Sequence, residues 1–137
     1  MPSPAWDRPI LSDRDAILDA SALIAWLGGE SGAALVEPLL PRSLVSALNW
    51  SETLETLAEF GVDRDEARAV LPMIEVVPFS EPQAVLAAAM RPTTRSLGLS
   101  LADRACLSLA MLRNCPIYTA DRAWAGLDIG VDVKLIS

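Results

Sequence analysis

Five short apolar runs, AILDA (16–20), RSLVSA (42–47), IEVVPF (74–79), PIYTA (116–120) and VDVKLI (131–136), alternate with longer segments of helical period. This alternation constrains the fold more than any other feature. Strands separated by helices must cross over, which gives βαβ units and a mainly parallel sheet buried on both faces. The 137 residues suit one compact domain. The expectation is therefore a single α/β domain over residues 16–137. Residues 1–15, MPSPAWDRPILSDRD, carry five charges and no apolar h-region, so they read as a loose arm and not as a secretory signal.

The intervening segments give helices for SALIAWL, closed by Gly28 and Gly29, and for AALVEPLL, NWSETLETLAEFG, EPQAVLAAAMR and SLADRACLSLAMLRN, with a further helix start at DRDEARAVLPM. In the third of these, Leu54, Leu57, Ala58 and Phe60 are expected on the inner side. SALIAWL is apolar nearly all round. Its excess beyond a core stripe suits either packing or a groove for an amphipathic partner helix, with Trp26 as anchor. The run Gly28-Gly29-Glu30-Ser31-Gly32 lacks the Lys-Ser/Thr of a phosphate loop and follows a helix, so it reads as a helix-terminating loop. No window reaches the ~18 apolar residues of a membrane span.

Composition then removes whole classes of chemistry. Histidine is absent, which excludes imidazole-based triads and imidazole-dependent zinc sites. Cys106 and Cys115 match no metal-knuckle spacing and read as reduced packing residues of a cytoplasmic protein. The net charge is −7, but residues 83–122 hold five arginines and two acids, a local +3 against −10 elsewhere. Such asymmetry is as readily surface drift as a binding feature.

What remains for chemistry is carboxylate. Asp19 and Asp121 each sit at the C-terminal end of a short apolar strand. Asn49-Trp-Ser-Glu52 and Ser100-Leu-Ala-Asp103 both resemble capping boxes. Strand C-termini and the N-termini of following helices share one edge of a parallel sheet, where ligands bind. Singly, Glu52 or Asp103 reads more simply as a helix cap, and Asp121 as the start of a turn. Asp19, flanked by apolar residues on both sides, resists that explanation. Two carboxylates ~4 Å apart repel by roughly 4 kcal/mol at an effective dielectric of 20. Four in one crevice bind protons or recruit a cation, and an all-oxygen donor set favours Mg²⁺ or Mn²⁺ over zinc.

A hard cation in an acidic crevice suits phosphoryl chemistry, since it acidifies water and offsets phosphate charge without histidine. Arg91, Arg95, Arg104 and Arg122 bracket two of the acids and could neutralise a nucleic-acid backbone, although pairing with neighbouring acids is the simpler role for Arg104 and Arg122. Glu55 and Glu59 follow Glu52 on one helical face and read as solvated.

The segments AILDASALIAWL, SALNWSETLETL, LGLSLADRACLSLA and IYTADRAW resemble, in order and spacing, the four acidic motifs of the PIN-domain nucleases, and in particular the VapC-type toxins of toxin–antitoxin modules. The resemblance spans residues 16–136. It implies an α/β/α sandwich, Mg²⁺- or Mn²⁺-dependent endoribonuclease activity, homodimerisation and a cognate antitoxin that blocks the crevice. It assigns Asp19, Glu52, Asp103 and Asp121 to the metal, and Ser21 and Thr119 to hydroxyls that orient ligands or water. Trp124 stands where the family often has Phe, and packing is expected of it. The readings from other classes are a PIN-like binding or regulatory domain without cleavage, and a phosphotransfer protein. The latter needs a strand-end lysine, and the one lysine, Lys134, lies in the last strand away from such a context.

Overall fold

Five strands, β1 (Ala16–Leu18), β2 (Ser43–Ser46), β3 (Glu75–Val77), β4 (Ile117–Thr119) and β5 (Val133–Leu135), form one sheet in the order β3-β2-β1-β4-β5, with every neighbouring pair parallel. The computed structural model describes residues 13–137. The helices between the strands are α1 (Ala20–Leu27), α2 (Ala33–Val36), α3 (Ala47–Glu59), α4 (Arg64–Arg68), α5 (Glu81–Ala89), α6 (Arg91–Thr94) and α7 (Leu101–Arg113). This is the α/β architecture expected from the alternating runs.

Period-two side-chain alternation divides the core into two layers. Ile17, Leu44, Val77 and Ile117 point to one face, where Cys106, Leu107, Leu109 and Ala110 of α7 cover them with Met90 and Trp124. Leu18 and Val45 point to the other face, against Ala22, Leu23 and Ala25 of α1, Val36 of α2 and Trp50 of α3. Both central strands are therefore apolar on both sides, and each fully buried Leu or Ile contributes roughly 1.5–3 kcal/mol. Trp124 is buried in the first layer, as expected of a packing residue. Trp26 is half-buried and packs against the second.

The sheet's outer strand closes onto α2 through a close approach. Gly32, the residue capping α2, has φ +95°, and a Cβ there would lie 2.7 Å from the Ile136 side chain. Only glycine meets both conditions without strain.

Several local expectations need correction. Asn49 is not a helix cap. The helix begins at Ala47 with Ser46 before it, which leaves Asn49 inside the first turn and buried. Phe60, at 77% exposure, and Ala58 face outward. The inner ridge of α3 is Asn49, Trp50, Thr53 and Leu57, with Leu54 half-buried against the second layer; Leu54 and Leu57 thus lie as expected, whereas Phe60 follows the last helical residue. The segment after α5 adds α6 and a 3₁₀ turn at residues 95–97, which local periodicity did not reveal. In the N-terminal arm, residues 1–12, with Trp6, lie outside the described residues. The arm's last residues are tied to the body. Arg14 donates to the carbonyls of Leu40, Ser43 and Met73, and Asp15 pairs with Arg42 at 2.7 Å. Cys106 is buried, Cys115 is partly exposed, and both are free thiols.

Candidate active site

With β1 central, the chain moves to opposite sides of it between β2 and β4, so the β1/β4 boundary is the point where the strand order switches. In open parallel sheets the ligand crevice lies outside the strand ends at such a point. Asp19 follows β1 directly and caps α1, its Oδ1 accepting from Ala22 N at 2.9 Å. Ser21 Oγ donates to the same oxygen at 2.7 Å, and Thr119 Oγ1, at the end of β4, donates to Oδ2 at 2.6 Å. Both hydroxyl hydrogens are thus committed to one carboxylate. The two hydroxyls also brace the β4 exit, Ser21 Oγ accepting from Ala120 N and Thr119 Oγ1 from Asp121 N.

Asp19 is 4% exposed. Burial pushes its carboxyl above the usual range; the hydrogen bonds from Thr119, Ser21 and Ala22 pull the other way without cancelling it, and the charge of Asp103 adds to the rise. Half-buried Glu52 is likewise raised, first by burial and then by Asp103, Asp19 and Glu55. Beneath them, the Cys106 thiol is held well above its ordinary value by burial and by the fields of Asp19, Asp103 and Glu52. Three carboxylates from distant parts of the chain therefore act on one another at the same strand-end edge. Among the described residues, no ion pair neutralises any of them.

Asp103 has a double role. It completes a capping box on α7, its Oδ2 accepting from Ser100 N at 2.9 Å while Ser100 Oγ accepts from Asp103 N. Asp121 shares the edge through the Thr119 bond, but its carboxylate is exposed, caps Ala123 N, and is not among the charges that raise Asp19 or Glu52. The structure thus brings Asp19, Glu52 and Asp103 into one another's fields, and ties Asp121 to the same edge through the Thr119 hydroxyl that also holds Asp19. Among the described residues, no three ligating side chains stand in a ready-made cluster for a metal ion. The donor chemistry fits a hard cation all the same, because it consists of carboxylate and hydroxyl oxygens, and among the described residues no cationic side chain is paired with the three acids.

The arginines separate. Arg91, Arg95 and Arg122 are exposed. Arg104 departs from the expectation, since it is 7% exposed and one guanidinium nitrogen donates to Ala87 O of α5 at 2.9 Å. Helical geometry turns it away from Asp103, its immediate neighbour, and into the α5–α7 seam. Glu55 and Glu59 are exposed, as their helical face implied. Sequence reasoning missed Asn49 as part of the site. A polar residue on the inner face of α3, one turn before Glu52, was the available signal. Among the described residues, no helix is long and apolar enough to cross a membrane.

The PIN domain family model matches residues 16–129. A search of curated proteins returns no match. Among solved structures, a toxin–antitoxin complex from Klebsiella pneumoniae is similar at 22% identity and a TM-score of 0.74, over 89% of this chain and 98% of that one. DNA-bound VapBC from Salmonella typhimurium is similar at 16% identity and 0.68, over 90% and 98%. VapC20 of Mycobacterium tuberculosis, described as a sarcin–ricin loop cleaving toxin, is similar at 16% identity and 0.66, over 85% and 98%.

Proposed function

The chain belongs to the PIN domain family, and from that premise we propose that it is a metal-dependent endoribonuclease acting as the toxin of a toxin–antitoxin pair. The observation that carries this reading is the buried, raised carboxyl of Asp19 within the field of Asp103, at the strand switch point. The toxin–antitoxin neighbours, one of them named for RNA cleavage, support the role.

On this reading Asp19, Glu52, Asp103 and Asp121 would hold Mg²⁺ or Mn²⁺. The bound ion supplies charge against the phosphate and water acidic enough to attack at neutral pH. The chain's own residues do the rest. Ser21 and Thr119 fix Asp19 in one orientation. Exposed Arg91, Arg95 and Arg122 attract the RNA backbone. The apolar layers beneath the strand ends exclude water from Asp19.

The antitoxin belongs to the same reading. A cleft of about 300 Å³ beside α3 and α4, lined by Leu54, Ala58, Val62 and Ala67 with Glu55 and Arg64, offers an apolar groove for an amphipathic helix. Trp26, half-buried against the second core layer, keeps part of its surface open to such a helix. A homodimer is supported by the exposed apolar side chains of Val85, Leu101 and Leu112. The site of action is the cytoplasm, where RNA is available.

The decisive experiment is cleavage of RNA by the antitoxin-free chain with Mg²⁺ or Mn²⁺, set against EDTA. Asp19→Asn and Asp103→Asn should each abolish cleavage. Undiminished cleavage in both variants, or full activity in EDTA, would overturn the proposal.

A further inference from the structure

The three coupled acids stand on three separate helices or their caps: Asp19 at the start of α1, Glu52 in α3 and Asp103 in the first turn of α7. Their mutual repulsion drives these helix ends apart, and among the described residues no cation is paired with them. Something else must hold the spacing.

One side chain touches all three elements. Asn49 Oδ1 accepts from Ala20 N at 3.1 Å, and Asn49 Nδ2 donates to Ala102 O at 2.9 Å. Ala20 directly follows Asp19, and Ala102 directly precedes Asp103. Asn49 itself lies three residues before Glu52 on α3, and its own carbonyl accepts from Thr53 Oγ1 at 2.8 Å. The amide is 1% exposed, so water cannot replace either bond without entering the core. Ala20 N is also one of the first-turn donors of α1 that have no partner within the helix. A carboxamide is suited to this place because it accepts with one atom and donates with the other.

We propose that Asn49 is the positioning residue of the acidic site, setting the separation of Asp19 from Asp103 and anchoring both to the helix that carries Glu52. The inference rests on the reading of these acids as a divalent-cation site. It makes no claim that Asn49 touches the ion or the RNA.

The test uses Mn²⁺ alone as probe, with affinity measured by titration calorimetry on the full chain. Asn49→Leu removes both bonds at similar volume, and Asn49→Ser, which leaves room for water, serves if the first variant does not fold. Thr53→Val is the control. It removes a buried hydroxyl from the same helix face that bonds only to Asn49 O and links neither Asp19 nor Asp103. Loss of a group that orients metal ligands typically weakens binding by about 10- to 100-fold. The expected result is a loss of about tenfold or more for the Asn49 variants, with Thr53→Val within about twofold of the unaltered protein. Near-unaltered Mn²⁺ affinity in the folded Asn49 variants, or an equal loss in Thr53→Val, would overturn the inference. An unaltered protein that binds no Mn²⁺ and cleaves no RNA would instead overturn the nuclease reading beneath it, and the inference with it.

Discussion

Thr119 Oγ1 donates to Asp19 Oδ2 at 2.6 Å, joining the ends of β4 and β1 across 100 residues of chain. The bond spans the place where the strand order switches, and the same hydroxyl oxygen accepts from Asp121 N. One buried hydroxyl thus fixes the orientation of the first acid and the exit of the strand that carries the last.

Thr119→Val should therefore cost more than a surface change. It leaves Asp121 N without its acceptor and removes one of three donors to a buried carboxylate, for an expected loss of about 1–3 kcal/mol. RNA cleavage should fall with it, while Thr119→Ser keeps the hydroxyl and should retain most of both. Chemical denaturation and a cleavage assay on the two variants check this. Equal behaviour of Val and Ser would show that the hydroxyl is dispensable.

The raised carboxyls of Asp19 and Glu52 give stability a definite pH dependence. Between the unfolded carboxyl value and the higher folded one, the native state binds more protons than the unfolded state, so stability falls as pH rises through that window. Ionised Asp19 is thus a net cost to the fold near neutrality. Asp19→Asn keeps a good helix cap and should melt above the unaltered protein at pH 7, with the gap closing near pH 4. Thermal melts across pH in metal-free buffer measure it. A variant less stable than the unaltered chain at pH 7 would contradict the balance of burial over hydrogen bonding assigned to Asp19.

Metal should reverse that cost. Mg²⁺ or Mn²⁺ bound only by the native state raises the melting temperature in proportion to the logarithm of its concentration above Kd. The unaltered chain should show this rise, and Asp19→Asn should show little or none. A parallel rise in both would place the ion elsewhere.

The arginines should divide as their exposure divides. Arg91→Ala with Arg95→Ala is expected to weaken RNA binding and flatten its salt dependence, by about one unit of slope for each phosphate that is no longer neutralised. Arg104→Met removes the bond to Ala87 O inside the α5–α7 seam, so it should alter stability and leave the salt slope alone. Filter binding over a salt series distinguishes the two, and a flattened slope for Arg104→Met would return that residue to the RNA face.

Gly32→Ala tests how β5 is held. The substitution forces a left-handed backbone and drives a methyl into Ile136, for an expected loss of about 1–3 kcal/mol. A melt within experimental error of the unaltered protein would show that Ile136 yields without cost.

By itself the sequence determined the layered plan and the positions of the acids. Strand and helix periods are local properties, and a charge such as Asp19 inside an apolar run signals an element's end without knowledge of its neighbours. The Ser100–Asp103 box was legible for the same reason, because it closes within four residues. Only the tertiary structure decided which charges feel one another, since that depends on how α1, α3 and α7 meet. It placed Asp103 and Glu52 in the field of Asp19, tied the main-chain N–H of Asp121 to the Thr119 hydroxyl, and turned Arg104 inward. It also converted Asn49 from an apparent cap into a bridge. The physical reason is one of range. A buried amide pairs with whatever main-chain groups packing presents to it, and here those groups lie 29 residues before it and 53 after.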